Sequence, residues 1–269
     1  MQCFNEITRN LQPVLRYWFH ERFSNACTWL WARQNYIHTT AVSSMVGYIA
    51  GIGDRHLSNI LLDSSSGEVI HIDFGIVFEQ GRLLQFPEVV PFRLTRDIID
   101  GMGETGLEGP FRRSSESTLR QLRHHKKHIV TLAEVLVYDP ITKWKVTSTN
   151  FQRRQQDENT PPSDSALGSS SSAEAGNLTE IQHGSAEQAE EQLESVRQNE
   201  LSRVEHENVG ALHALRRIEQ KLNGKDLDSS VISGNIEELP VEHHVRKLIA
   251  ASTDPKNLSK MFHGWMPQV

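Results

Sequence analysis

Between about residues 150 and 182, this chain of 269 residues has little to bury. Thr160-Pro161-Pro162 and Gly168-Ser169-Ser170-Ser171-Ser172 carry too little apolar surface to offset the ordering of their backbone. That break excludes one uninterrupted fold. It predicts a disordered, low-complexity linker over about 148–200, with folded material on either side. Composition agrees: 37% of residues are hydrophobic, where globular chains run at about 45–50% with glycine counted. Charge divides the same way. Residues 1–147 hold 16 Lys+Arg against 15 Asp+Glu, and residues 148–269 hold 12 against 19. Neither part is basic enough to bind nucleic acid on charge alone.

The first part reads as helical up to about residue 50, with Tyr17, Trp18, Phe19, Phe23, Trp29 and Trp31 in one aromatic-rich stretch. The period then changes. Asn59-Ile60-Leu61-Leu62 and Glu68-Val69-Ile70-His71-Ile72-Asp73 flank the turn residues Asp63-Ser64-Ser65-Ser66-Gly67, which predicts two short paired strands. A second helical stretch runs from about Thr95 to Tyr138, and Asp139-Pro140 ends it. Beyond the linker, Val204, Leu212, Leu215, Ile218 and Leu222 form an apolar stripe with a stop at Asn223-Gly224. In the tail, Val241, Val245, Leu248 and Ile249 share a helical face. Asp254-Pro255 reads as an N-cap with proline at the first helical position, and Gly264 as a stop before Trp265.

Chemistry concentrates in Gly51-Ile52-Gly53-Asp54-Arg55-His56-Leu57-Ser58-Asn59 and, fourteen residues on, Asp73-Phe74-Gly75. Phosphoryl transfer needs a carboxylate near the attacking hydroxyl and oxygen ligands for Mg2+ on the phosphates. A loop that offers Asp and then Asn five residues later can place both at one site. A strand ending in Asp-Phe-Gly can add the charged metal ligand. Protein kinases use the same Asp-x-x-x-x-Asn interval followed by Asp-Phe-Gly. Here His56 follows the Asp, where the ordinary kinase order puts His before it. Gly51-x-Gly53 lacks the third glycine of a dinucleotide fingerprint.

Gly-x-x-Asp-Arg-His-x-x-Asn followed by His-Ile-Asp-Phe-Gly resembles the phosphatidylinositol 3-kinase and 3-kinase-related kinase superfamily. Pro91-Phe92-Arg93-Leu94-Thr95-Arg96-Asp97-Ile98-Ile99-Asp100-Gly101-Met102-Gly103 and Glu134-Val135-Leu136-Val137-Tyr138-Asp139-Pro140 are similar to the ATM/Tel type within it. Residues 254–265 resemble the FATC segment that closes the related protein kinases and is absent from lipid kinases. The resemblance implies an α+β, predominantly helical fold: the large lobe of a PI3/PI4-kinase with a small hairpin at the active site and a helical FATC tail. Its divisions are a partial catalytic domain at 1–147, the linker at 148–200, a helical connector at 201–236 and FATC at 237–269.

It also implies roles. Asp54 accepts or orients the proton of the substrate hydroxyl, and His56 stabilises charge beside the γ-phosphate; which of the two removes the proton stays open. Asn59 and Asp73 hold Mg2+ (or Mn2+) on ATP, so Asp54, Asn59 and Asp73 face the nucleotide. Arg55 positions the loop by ion pairing, and Gly75 allows the turn after the metal ligand. The activation loop starts with Phe74 and Gly75 and continues from about Ile76 to Val90, with Glu79, Arg82 and Glu88. One Arg against two Glu there suits a protein substrate, by family Ser/Thr-Gln, better than an anionic lipid headgroup. A DNA-break sensor complex as partner, a dimer, a nuclear location and roles in DNA repair, telomere maintenance and checkpoints follow from the resemblance alone. The alternatives are a lipid kinase and a non-catalytic interaction fragment.

Other features read more plainly. His71 is expected as a strand histidine. The basic run from Arg112 to Lys127, with His124, His125 and His128, is expected as a solvated helix face and not a DNA contact. The tail is expected to dock on the kinase part and not on a membrane. Cys3 and Cys27 exclude a disulfide scaffold, and no apolar run reaches the roughly 18 residues of a spanning helix. The first lysine is Lys126, so the small-lobe lysine that holds the α/β-phosphates does not precede the catalytic loop. The expectation is that the chain starts inside the large lobe and transfers no phosphate by itself.

Overall fold

In the computed structural model, residues 2–137, 212–225 and 238–261 are described. After α1 (Gln2–Asn10) and α2 (Leu15–Arg22), the scaffold is built on α3 (Ala26–Ala50). Asn25 starts α3 as its cap, accepting from the Cys27 and Thr28 N–H groups, which satisfies donors that no helical carbonyl can reach. Gly51 stops it at φ 63°, the left-handed conformation that glycine adopts without a Cβ penalty. Along α3, Ala32, Tyr36, Ile37, Ala41, Met45 and Ile49 are buried at helical spacing.

The hairpin predicted after α3 is present, and short. β1 (Ile60–Leu62) pairs antiparallel with β2 (Val69–His71) in the register Ile60–His71, Leu61–Ile70, Leu62–Val69. Its turn is held by Asp63, whose Oδ1 accepts from Ser65 N–H at 2.6 Å and Ser65 Oγ at 2.7 Å. The hairpin is anchored on α3: Thr39 Oγ1 accepts from Val69 N–H at 3.0 Å, and Asn35 Nδ2 donates to the Ser66 carbonyl at 3.1 Å. Gly67, at φ 73°, lies so close to α3 that a Cβ would stand 2.6 Å from the Ala32 carbonyl oxygen.

The second helical stretch divides into α4 (Arg96–Gly101), α5 (Pro110–His124) and α6 (Lys126–Val137). Asp100 of α4 ties down the start of α2, accepting from Arg16 N–H at 2.8 Å and from its guanidinium. α5 starts on Pro110 and packs along α3 through Phe111, Ser115 and Leu119. The helix at 212–222, α7, buries Ala214, Leu215, Ile218 and Leu222, which bears out the apolar stripe at Leu215, Ile218 and Leu222; Leu212, in its first turn, is exposed instead. Val204 lies outside the described residues. α8 (Val241–Thr253) packs on α5 through a face that includes buried Val245 and Leu248. Asp254 caps α9 (Pro255–Leu258), accepting from Lys256 N–H at 2.9 Å, with Pro255 in the first turn as expected. Leu258 and Met261 then pack with Phe4 and Val90, so the tail docks on the first part of the chain. The predicted linker at 148–200 lies outside the described residues, as do Gly264 and Trp265.

α8 carries one buried polar knot. Arg123 donates to His244 Nδ1 at 2.7 Å, and His244 Nε2 lies 2.9 Å from the Tyr48 hydroxyl. A guanidinium can only donate, so Nδ1 accepts and the neutral ring's proton is on Nε2, pointing at Tyr48.

Candidate active site

The loop after α3 has almost no regular structure, and side chains hold its backbone in place. Gly53 N–H donates to the Ile76 carbonyl at 2.9 Å. Asp54 takes the left-handed conformation at φ 56°, which is uncommon for a residue with a side chain. Both of its peptide groups are engaged: its N–H donates to Glu88 Oε1 at 2.8 Å, and its carbonyl accepts from Asn59 Nδ2 at 2.8 Å. The Arg55 carbonyl accepts from Arg93 Nη1 at 3.3 Å.

Arg55 is the hub. Its side chain is buried and donates to three backbone carbonyls: Gly53 at 2.8 Å, Ile72 at 2.7 Å, and Asp73. One guanidinium fork therefore joins the loop carrying Asp54 to the strand end carrying Asp73, a geometry that five fixed donors allow. Arg55 does position the loop, but by hydrogen bonds to carbonyls and not by the ion pair expected from sequence. The guanidinium also sits 5.6 Å from the Phe74 ring centroid. Burial draws Arg55 below its ordinary range, with the charges of Asp54, Asp73 and Glu88 opposing.

Asn59 is buried at the end of a 3-10 turn (Leu57–Asn59), and its carbonyl accepts from Ile72 N–H at 3.0 Å. That bond extends the pairing of the two strands by one residue, and Asp73 follows directly after it. Asp73 is exposed, at φ 54°, with Oδ1 accepting from Gly75 N–H at 3.0 Å. The left-handed residue at this turn is thus Asp73. Gly75 was expected to supply the turn by its own freedom; instead its N–H closes the turn onto the aspartate. His56 is half-buried, and its Nδ1 accepts from Ser58 N–H at 3.2 Å. His71 lies in β2 as expected, pulled down to about 4 by burial and then by the Arg55 charge.

The donor set suits a hard cation. The Asn59 amide nitrogen is spent on Asp54, which leaves its carbonyl oxygen, and Asp73 adds a carboxylate. No cluster of three His, Cys, Asp or Glu fit to hold a metal occurs among the described residues. One amide oxygen and one carboxylate fit Mg2+ that takes its remaining ligands from phosphates and water.

The stretch from Ile76 to Val90 turns its acids inward. Phe78 and Glu79 are both left-handed, at φ 57° and 62°, with their N–H groups donating to Ala50 and Gly51 carbonyls at 2.9 Å each. Glu79 pairs with Arg217 at 2.8 Å and Lys221 at 2.7 Å, both on α7. Burial pushes its carboxyl up, but the Arg217 hydrogen bond and the charges of Lys221 and Arg82 outweigh it and hold Glu79 at about 2. The same burial draws Lys221 down to about 8. Arg217 grips the carboxylate with two nitrogens, so the ionised Glu79 describes the triad at neutral pH. Glu88 sits against the loop at Asp54, where burial raises it to about 7. Arg82 is half-exposed, and 3.9 Å from Glu79. Neither glutamate is free to set the charge of a substrate surface, so the charge balance of the segment loses its force as an argument about substrate. Arg217 and Lys221 were missed in the sequence because a basic pair four apart beside an apolar stripe reads as an ordinary solvated edge.

Residues 3–146 match the family model described as phosphatidylinositol 3- and 4-kinase, and residues 238–269 match the FATC domain. The chain is 39% identical over 264 residues to the serine-protein kinase ATM of Sus scrofa, a match over 98% of this chain and 8% of that protein. It is 37% identical over 267 residues to the serine/threonine-protein kinase TEL1 of Candida albicans (99% and 8%). Against the serine/threonine-protein kinase ATM of Arabidopsis thaliana it is 38% identical over 265 residues (98% and 6%). The chain therefore spans less than a tenth of the length of these relatives. Its fold is similar to the solved FAT and kinase domain of CtTel1, with a TM-score of 0.73 and 33% identity over 99% of this chain and 14% of that one. The complete CtTel1 dimer with C2 symmetry matches with the same score over 8% of its chain.

Proposed function

The chain belongs to the phosphatidylinositol 3- and 4-kinase family, with an FATC segment, and on that premise we propose that it carries the catalytic loop of an ATM/Tel-type serine/threonine protein kinase. The observation that carries this reading is the Arg55 fork, which brings the backbone carriers of Asp54 and Asp73 into one hydrogen-bonded unit.

In this reading, ATP with a divalent cation supplies the phosphoryl group and neutralises its charge. Asn59 and Asp73 hold that cation through their oxygens. Asp54 orients the substrate hydroxyl and takes its proton. His56 accepts from Ser58 N–H on Nδ1, so its neutral ring carries its proton on Nε2 and acts as a donor. That supports His56 as the group that stabilises developing charge and Asp54 as the base. Ser/Thr-Gln substrates, a role in the DNA-damage response with telomere and checkpoint functions, a DNA-break sensor partner, dimerisation and a nuclear location are proposed with the kinase assignment, supported by likeness to ATM and TEL1. By itself the 269-residue chain is proposed not to transfer phosphate. No lysine precedes Lys126, and the Lys126 ammonium is engaged with Asn223 Oδ1 at 3.0 Å.

The test is phosphate transfer by the natural-length polypeptide that contains this chain, offered Ser-Gln peptides and phosphoinositide vesicles side by side. The peptide is expected to be labelled and the lipid not. Asp54→Ala and Asp73→Ala are each expected to lower kcat by about 10²-fold or more. Labelling of the lipid alone would overturn the protein-kinase reading in favour of a lipid kinase.

A further inference from the structure

The mechanism above leaves the half-buried carboxylate of Glu88 unused. Glu88 sits at the far end of the activation segment, 34 residues from Asp54 in sequence, yet its Oε1 accepts the Asp54 N–H at 2.8 Å. Its own N–H donates to the Gly81 carbonyl at 3.0 Å, which fixes the base of the side chain. Two glycines make room for the carboxylate. A Cβ on Gly53 or on Gly81 would overlap Glu88 Oε2. Neither glycine has a positive φ, so close approach, not backbone freedom, explains both.

We infer that Glu88 is a positioning residue for Asp54: its carboxylate holds the Asp54 peptide N–H, and with Asn59 on the Asp54 carbonyl it locks the catalytic aspartate in its left-handed conformation. The left-handed region costs a non-glycine residue energy and persists only where surrounding groups over-determine it. Asp54 has that support on both of its peptide groups, one from the catalytic loop itself and one from the activation segment. The segment that flanks the substrate is thereby coupled to the residue that meets the substrate hydroxyl. A shift of the segment that withdraws Glu88 releases Asp54 without touching the metal ligands Asn59 and Asp73. The catalytic consequence rests on the kinase reading; the tether itself does not.

The tether is tested in the 269-residue chain by site-resolved amide hydrogen exchange. Glu88→Leu is expected to speed exchange at Asp54 at least tenfold, with core helical amides such as Met45 and Leu119 unchanged. Glu88→Gln keeps an acceptor at the same reach and is expected to restore protection. If Glu88→Leu does not fold, Gly81→Ala serves: its methyl displaces the carboxylate and is expected to expose the same amide. Unchanged exchange at Asp54 in whichever of the two variants folds overturns the tether. In the natural-length kinase, Glu88→Leu is expected to lower kcat at least tenfold with the KM for ATP within twofold, and Glu88→Gln to recover most of it. An equal rise in KM for ATP contradicts a role through Asp54. If the wild-type polypeptide transfers no phosphate at all, the kinase reading fails, and the exchange result still decides the tether.

Discussion

The loop at 51–59 and the α3–α5–α8 core are held together in opposite ways. In the core, Met45, Phe111, Leu119 and Val245 are fully buried, and α3, α5 and α8 pack through them. Around the loop, the outward apolar side chains Leu57, Leu61, Ile70, Ile72 and Phe74 remain exposed. There, Arg55, Asn59, Glu88 and Arg93 each bond to backbone, and two aspartates sit in left-handed conformations. Packing is nondirectional and stabilises in proportion to area, whereas hydrogen bonds from fixed donors set direction. Stability is therefore concentrated in the core, and geometry at the loop. A change in one region should leave the other's signature intact.

The largest expected effect breaks the core. Phe111→Ala removes a fully buried ring from α5 and is expected to cost about 3–5 kcal/mol, measured as a lower denaturant midpoint with an unchanged slope. If the loss is under about 1 kcal/mol, well below the usual range for a buried Phe→Ala change, the division of labour is wrong.

Next comes the boundary between the regions. Glu79→Gln leaves Lys221 and Arg217 largely buried, with 7% and 14% of their side chains exposed, and stranding a buried charge costs up to about 3–5 kcal/mol, less where solvent reaches it. The pH profile carries the same information with a sign. Glu79 is held at about 2, below the ordinary 4.5, so the folded state binds fewer protons than the unfolded chain between those values. Its contribution is complete above pH 4.5 and is lost as pH falls toward 2. Glu88 is raised to about 7, so the folded state binds more protons, and stability falls as pH rises from 4.5 to 7. Glu79→Gln should remove the first slope and Glu88→Gln the second, measured by chemical denaturation across pH 2–8; exchange of the two effects would contradict the assignment.

The smallest effect sharpens the contrast. Leu61→Thr on the exposed face of the hairpin is expected to change stability by no more than about 0.5 kcal/mol. A loss of several times that, on the same denaturant scale, would show that the hairpin face is packed in solution.

Much of this was legible in the sequence. The hairpin followed from two β-rich runs around Asp63–Gly67. The α7 stripe and the Asp254 cap rest on local pattern, which a sequence displays directly. The order Asp54, His56, Asn59, Asp73 marked the candidate site. What sequence could not display was what holds it. The bond from Glu88 to Asp54 spans 34 positions, and the Arg217–Glu79 pair spans 138. Such contacts depend on which helix face the fold turns inward. The purpose of Gly53 and Gly81 as space for a carboxylate appears only when the segment folds back.

The most direct test of the site is paramagnetic broadening in the 15N-labelled 269-residue chain on adding Mn2+ with ATP. Amide signals of Asn59 and of Asp73 to Gly75 are expected to broaden first, while those of α5 stay sharp, and Asp73→Ala is expected to abolish the effect. Broadening that is spread over the acidic surface, or that survives Asp73→Ala, would contradict Asn59 and Asp73 as the cation's ligands and, with them, the phosphoryl-transfer site.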